Sequence, residues 1–315
     1  MALKLINQVS AYKVVLPAAD ALAEQLATLP FEELPAHTPF GSGFVNVQNC
    51  SDLVIGIPGG YVFAFRYDEK IVPGAVVKTE LAKRADRFEE QEGYKPGRKV
   101  LRELRELVVA ELTAKALTKT KVVNCYYNEA DQLLILPTIA RKLKDTVMRQ
   151  LVRAVESMKS TTINVSTAKG SLTTRLMSYI ESCDFDAFGD FDAFGDFGVG
   201  DRLILVGANG KSSFDLESLT SAAEGIKEAI TTGGQVSEIA LTLESVSFRL
   251  TQDFLLKGIK FTETEDEQDD ERDPDEQFEH EAGVQLFIVS AVINSLCKLF
   301  DYTPAIKSEE NDDLV

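Results

Sequence analysis

A run of closely spaced aspartates is the first part of this sequence whose residue types could do chemistry. Residues 184–198 read DFDAFGDFDAFGDFG, and the six letters FDAFGD occur twice in succession. Carboxylates spaced in this way are typical of sites that hold a divalent cation, as in calcium loops and metal-dependent nucleases. The candidate ligands are Asp184, Asp186, Asp190 and Asp192.

Neither copy of the repeat satisfies a calcium loop, which needs oxygen ligands at positions 1, 3, 5 and 12. Counting from Asp184, position 5 is Phe188 and position 12 is Gly195. Counting from Asp190, position 5 is Phe194, which cannot bind a cation either. A tandem duplication within a turn explains the spacing, so we predict a copied loop with no metal and no cofactor. A metal-dependent exonuclease using the four aspartates is the alternative.

The other catalytic patterns in the chain are weaker. Gly-Lys-Ser at 210–212 follows an apolar strand, but the nearest earlier glycine, Gly207, is too close for the GxxxxGK[ST] loop that wraps a triphosphate. Lys211 remains a candidate for a simpler phosphate contact. The two histidines, His37 and His280, belong to no recognisable catalytic dyad. We therefore predict that the protein is not an enzyme.

The net charge of −17 is unevenly distributed along the chain. Residues 263–281 contribute −11 and residues 309–313 contribute −4, which leaves about −2 for the rest. A strongly acidic protein would ordinarily be a poor partner for nucleic acid. Because the remainder is nearly neutral, its local patches decide what it can bind.

The most basic part of the chain is the block 113–175, which carries eleven basic residues against four acidic ones. Within it, 141–158 has the apolar spacing of an amphipathic helix, with its positive charges on the other face. Such a surface attracts phosphate backbones without reading base sequence, although an ordinary solvated face is the alternative. The DNA-binding candidates from this block are Lys115, Lys119, Lys121, Arg141, Lys142, Lys144, Arg149, Arg153, Lys169 and Arg175.

Strands and helices alternate without a regular βαβ order, so the predicted class is α+β, with mixed antiparallel sheets, packed helices and a protruding helical hairpin. Four scattered cysteines without a CxxC pair favour a reducing cytoplasm. The apolar stretch 284–300 is too short and too polar for a membrane span and is predicted as a buried helix. The other predicted strands are 9–16, 53–68, 121–138, 201–207 and 238–261, and the other predicted helices are 18–29, 73–92, 98–117 and 141–158. A further helix is predicted over 221–234, with Ser221 and Glu224 as a capping box at its start.

The ordered series of segments resembles the RdgC family of bacterial recombination-associated proteins. The segments are DEKIVPGAVVKTEL, GYKPGRKVLRELRELVVAELTAKAL, QLLILPTIARKLKDTVMRQLVRAV, SLTTRLMSYI and the late SEIALTLESVSFRL. The resemblance runs from about Val9 to Phe300 and is clearest over 69–180. It implies a homodimer that closes into a ring around double-stranded DNA, binds without sequence specificity and restrains the RecA recombinase. The family also carries an exonuclease label.

The resemblance also implies a domain plan. A central α+β region comprises 1–72 and 119–180, a helical-hairpin tip comprises 73–118, and a base region with hairpin strands and the C-terminal helix comprises 181–303. Residues 304–315 are expected to form a disordered acidic tail. The protein would lie in the cytoplasm with the nucleoid, away from any membrane.

Three departures from the family pattern bear on function. The family's tip contact between subunits uses an aromatic residue in an RAF-like triplet, where this chain has KAL and hence Leu117. Phe44, in GFV at 43–45, stands where the family has tryptophan. The acidic run 263–281 is heavier than in the family. An acidic inhibitor that binds recombination proteins through this run is therefore a further alternative.

Overall fold

The computed structural model describes residues 3, 5–47, 50–155, 158–163, 171–182, 193–208, 210–215, 219–262 and 273–302. The strands are β1 Gln8–Val14, β2 Phe40–Val45, β3 Val54–Ile57, β4 Gly60–Lys70, β5 Thr118–Asn128, β6 Leu133–Leu136, β7 Ser160–Thr162, β8 Gly198–Gly207, β9 Gly210–Asp215, β10 Gln235–Leu243, β11 Val246–Thr251 and β12 Leu255–Phe261. The helices are α1 Ala19–Leu26, α2 Gly74–Glu92, α3 Arg98–Lys115, α4 Arg141–Ala154, α5 Leu172–Ser182, α6 Leu219–Thr231 and α7 Pro274–Leu299.

The strands form a single antiparallel sheet in the order β2-β4-β5-β6-β1-β12-β11-β10-β8-β9, with β3 beside β4 and β7 beside β1. β1 lies in the middle, because it pairs with β6 along one edge and with β12 and β7 along the other. The α+β class is therefore confirmed. The predicted sheets join through β1 into one.

Helix α7 covers one side of this sheet and spans both halves. Leu286, Val289 and Ile293 are buried in a core that also contains Val62 from β4 and Leu250 from β11. Helices α5 and α6 extend the same layer over the second half of the sheet. We call this the α7 side.

Helices α1 and α4 cover the first half of the opposite side, which we call the α4 side. Leu143, Val147 and Leu151 recur every four residues and are buried against Phe63 and Phe65 of β4. Phe44, the residue that replaces the family's tryptophan, packs edge-on to these two rings at centroid distances of 6.1 and 5.3 Å. A phenylalanine therefore fills this part of the core.

Helices α2 and α3 form the predicted helical hairpin. Only Val77 of α2 and Val108 and Thr113 of α3 are buried, so most of the hairpin is surrounded by solvent. Arg84 bridges the two helices through an ion pair with Glu111. A glycine ends the first helix of the hairpin, as expected, because Gly93 follows α2 in the left-handed conformation at φ 78°.

The structure differs most from the sequence-based prediction at helices α5, α6 and α7. Helix α7 begins at Pro274, ten residues before the predicted start, so the end of the acidic run forms its first turns. Helix α5 had no prediction, and α6 begins at Leu219, so Ser221 and Glu224 lie inside the helix instead of capping it. By length and composition α7 could span a membrane, but 56% of that stretch is buried inside the fold. It is therefore a core helix, as predicted.

Candidate nucleic-acid interface

Helix α4 carries a row of positive side chains above its buried apolar stripe. Arg141, Arg149 and Arg153 are all exposed, and Lys144 is half-buried on the same helix. Asp145 partly offsets this charge, since its carboxylate lies 3.6 Å from the Arg141 guanidinium. The predicted helix is thus present, and it ends four residues earlier than expected, at Ala154.

Lysines on β5 extend this basic surface beyond the start of α4. Lys119 and Lys121 are exposed on the α4 side, where they stand directly opposite Glu69 and Tyr67 of β4 in the antiparallel ladder. Directly opposed residues project from the same side of a sheet, which places these four side chains together. They line a cavity of about 70 Å³ with Lys142 at its rim. The structure therefore brings together three of the predicted lysines.

Lys142 is held by a carboxylate and two aromatic rings. Its ammonium lies 2.5 Å from the Glu69 carboxylate and 5.2 and 5.5 Å from the ring centroids of Phe40 and Tyr67. The Glu69 carboxylate, which accepts a hydrogen bond from this ammonium, and then the neighbouring Tyr67 side chain raise the pKa of Lys142. The side chain is therefore protonated at neutral pH and lies between the carboxylate and the two rings.

Among the described residues, no helix packs against the α4 side of the second half of the sheet, which we call the open face. Basic residues that the sequence did not single out lie there. Lys257 pairs with Gln8 of β1, next to Ser10 on the same side, and Arg249 pairs with Lys257. Arg202 alternates with the buried Leu203 and projects from this side too. Lys211 of β9, which the sequence did predict as a phosphate contact, is exposed opposite Val206 on the same face. The alternation of apolar and polar residues in SFRLT and LLKGIKF could have predicted that Arg249 and Lys257 project away from the buried side of the sheet.

A buried carboxylate organises the open face. Glu238 accepts hydrogen bonds from Arg249 at 2.9 Å and from Lys257 at 2.8 Å. Burial alone would raise the pKa of Glu238, but the bond from Lys257 and the charges of Lys257, Arg249 and Lys211 outweigh it, so the pKa lies below its usual value. The carboxylate therefore stays ionised and holds the two cations in place.

An acidic segment lies on the opposite, α7 side of the sheet. The first turns of α7 contain Asp275, Glu276 and Glu279, which are exposed. Negative side chains at a helix N-terminus are favourable there. Among the described residues, positive side chains therefore gather on the α4 side while this acidic segment lies on the α7 side.

Two predicted residues have other surroundings. Arg175 of α5 donates to the carbonyl oxygens of Ala193 and Leu299, and its guanidinium lies 5.2 Å from the ring centroid of Phe300. It packs within the α7 layer, so we exclude it from the candidate surface. Lys169 lies outside the described residues.

Two further predicted residues lie where the helical hairpin joins the sheet. Lys115 is exposed in the last turn of α3. Leu117 follows that helix and is 80% exposed, next to Ile71, whose N–H donates to the Leu117 carbonyl oxygen. An isolated subunit thus leaves an apolar side chain unprotected at the predicted dimer contact, which stays a prediction.

Within the part of the chain that the structure describes, no group of three His, Cys, Asp or Glu residues could hold a metal ion. The four aspartates of the FDAFGD repeat, Asp184, Asp186, Asp190 and Asp192, lie outside the described residues. Gly-Lys-Ser at 210–212 runs into strand β9 and not into a helix, so it lacks the strand-to-helix context of a triphosphate loop.

Sequence comparisons match this chain to known proteins. A family model described as "Putative exonuclease, RdgC" matches residues 5–303. Proteins named "Recombination-associated protein RdgC" are similar to this chain. That of Neisseria meningitidis is 26% identical over 81% of this chain and 84% of its own, and that of Paraburkholderia phymatum is 24% identical over 90% and 88%. That of Dechloromonas aromatica is 37% identical over about a third of each chain.

Proposed function

Because this chain belongs to the RdgC family, we propose that it binds double-stranded DNA without sequence preference, as a ring-shaped homodimer that restrains a RecA-type recombinase in the cytoplasm. The observation that carries the proposal is the gathering of positive side chains on the α4 side of one sheet. The contributing residues are Lys119, Lys121, Arg141, Lys142, Lys144, Arg149, Arg153, Arg202, Lys211, Arg249 and Lys257.

The make-up of this surface favours backbone contacts over base readout. Lysine and arginine heads on a helix and on open strands can reach phosphates along a duplex, and such contacts carry no sequence information. A ring would retain the DNA topologically, so modest phosphate contacts suffice. The exposed Leu117 and the neighbouring Ile71 supply apolar area for closing the ring at the tip.

The test is a titration of unrelated duplexes at several salt concentrations, on a sample whose mass in solution has been measured. We expect dimer mass, equal affinity for the duplexes, and a steep linear fall of log affinity with log salt, because each neutralised phosphate releases about one counterion. A flat salt dependence, or a monomer that binds equally well, would contradict the proposal.

An exonuclease is the second candidate, because the matching family model carries that description. The candidate metal ligands for such an enzyme are the aspartates of the FDAFGD repeat. End-labelled duplex incubated with Mg²⁺ or Mn²⁺ tests it, with Asp184→Ala and Asp190→Ala as variants. Degradation that disappears in these variants would establish the enzyme, whereas intact duplex would leave binding as the function.

A further inference from the structure

We propose that the cavity at the N-terminus of α4 is a discrete phosphate site that seats one phosphodiester of the bound duplex, with Tyr67 as its neutral donor. The identification of duplex DNA as the natural ligand of this site rests on the proposed DNA-binding function. The anion site itself follows from the side chains and the helix end described below.

The cavity combines several features that recognise an anion. Lys119, Lys121 and Lys142 line it. It also adjoins the start of α4, where Leu143 and Lys144 are the first residues to donate back to the Ala140 carbonyl oxygen. The N–H groups of the preceding residues lie ahead of this ladder, as at any helix start. Helix N–H groups and lysines together form an ordinary phosphate-binding arrangement.

Tyr67 provides an independent observation that points to a ligand in this cavity. Its side chain lines the cavity, the residue is only 4% exposed, and its hydroxyl has no hydrogen-bond partner among the residues that the structure describes. The hydroxyl is close enough to Lys142 to raise the pKa of that ammonium, but no group among the described residues meets the geometry of a hydrogen bond with it. A buried hydroxyl without a partner is costly, so its retention points to a partner that binds from outside.

The size of the cavity fits the edge of a phosphate group. Its volume is about 70 Å³, several times the roughly 10–15 Å³ that one water needs. The Phe40 ring, 47% exposed and stacked on Tyr67 at a centroid distance of 6.3 Å, forms an apolar wall beside it. A sugar of the duplex can pack there while its phosphate enters the cavity.

Glu69 occupies the site in the free protein. Its carboxylate is paired with the Lys142 ammonium, and both side chains are about half exposed, so the pair can separate. A phosphate oxygen would replace the carboxylate as the partner of Lys142. Glu69→Gln should therefore tighten binding of inorganic phosphate, because it removes the competing charge.

The first experiment titrates inorganic phosphate into the full chain without DNA and follows the amide chemical shifts of Arg141 and Lys142. We expect saturable shifts, and about tenfold weaker binding in Tyr67→Phe, from the loss of one hydrogen bond to a charged group. Lys99→Gln is the control, because it removes a positive charge from an exposed position on α3, outside the cavity lining and outside the proposed DNA surface, and should leave phosphate binding unchanged. Shifts that do not saturate, or equal binding by Tyr67→Phe, would overturn the site.

The second experiment titrates a duplex, with and without 5′-phosphates, at several salt concentrations. Tyr67→Phe should lower affinity about tenfold without changing the salt slope, since no charge is lost, whereas Lys121→Gln should reduce the slope by about one. Equal affinity for both duplexes assigns the site to internal phosphates, and a requirement for 5′-phosphates would overturn that assignment. If Tyr67→Phe binds the duplex with wild-type affinity, the proposed role of the site in DNA binding is also overturned.

The two proposals fail separately. Duplex binding without saturable phosphate binding would contradict the phosphate site and leave the proposed function unaffected. Phosphate binding without duplex binding would contradict the proposed function and leave the phosphate site unaffected. Thermal unfolding checks the fold of Tyr67→Phe. Because the hydroxyl has no partner in the free protein, its removal should preserve or raise Tm, and a lower Tm would contradict the argument.

Discussion

Replacing Glu238 with glutamine should lower the stability of the protein and raise its affinity for DNA. Glu238 is 7% exposed and bonded to both Arg249 and Lys257. Removing one member of a buried ion pair costs about 3–5 kcal/mol. The cations are 37% and 31% exposed, so solvent screens the loss, and we expect a decrease of about 1–3 kcal/mol in the free energy of unfolding.

The stability loss should depend on pH. The folded pKa of Glu238 lies below its unfolded value, so its stabilisation is fully present above a pH of about 4.3 and is lost as the pH falls through the folded pKa. Urea unfolding of both proteins across this range should give a difference that is constant at neutral pH and shrinks in acid. A difference that grows in acid would refute the assigned pKa direction.

The affinity gain follows from the same change of charge. A unit charge about 7 Å from a phosphate contributes about 0.6 kcal/mol in water, or roughly threefold in affinity. Glu228→Gln is the matched control, because it removes the same charge from an exposed site on α6, on the α7 side. If folded, dimeric Glu238→Gln binds duplex no more tightly than this control, the open face of the sheet does not face the DNA.

Two further substitutions separate packing from binding. Leu117→Asp should shift the solution mass toward the monomer on dilution, while the unfolding free energy of the subunit changes by less than about 0.5 kcal/mol, because Leu117 is 80% exposed; an unchanged dimer would place the contact elsewhere. Arg175→Ala should cost about 1–3 kcal/mol in urea unfolding, because it leaves two carbonyl oxygens without their donor. Its DNA salt slope should stay that of the wild type, and a slope lowered by about one would return Arg175 to the binding surface.

The elements that the sequence predicted well are those with local patterns. The stripe through Leu143, Val147 and Leu151 predicts α4 because three buried residues at helical spacing suffice to orient it. The start of α7 could not be recognised in the same way. Its first turns carry acids such as Asp275, which suit a helix N-terminus but hide the apolar periodicity.

The basic surface could be predicted only in part, for a different reason. Alternation along a strand tells that Arg249 and Phe248 project to opposite sides, but not which side faces α4. That depends on the pairing of β1 with both β6 and β12, which joins residues more than a hundred positions apart. The cavity at Tyr67 depends on the same kind of long-range register, between β4 and β5.

The uninterrupted sheet has a mechanical consequence. Backbone hydrogen bonds run from β1 to the strands on both of its sides, so among the described residues a continuous sheet, and not a flexible linker, joins the two halves of a subunit. If two such subunits enclose a duplex, entry onto circular DNA, which offers no free end, requires one contact between the subunits to come apart. The rate of loading would then be set by how firmly the tips adhere, and not by any motion within the arms.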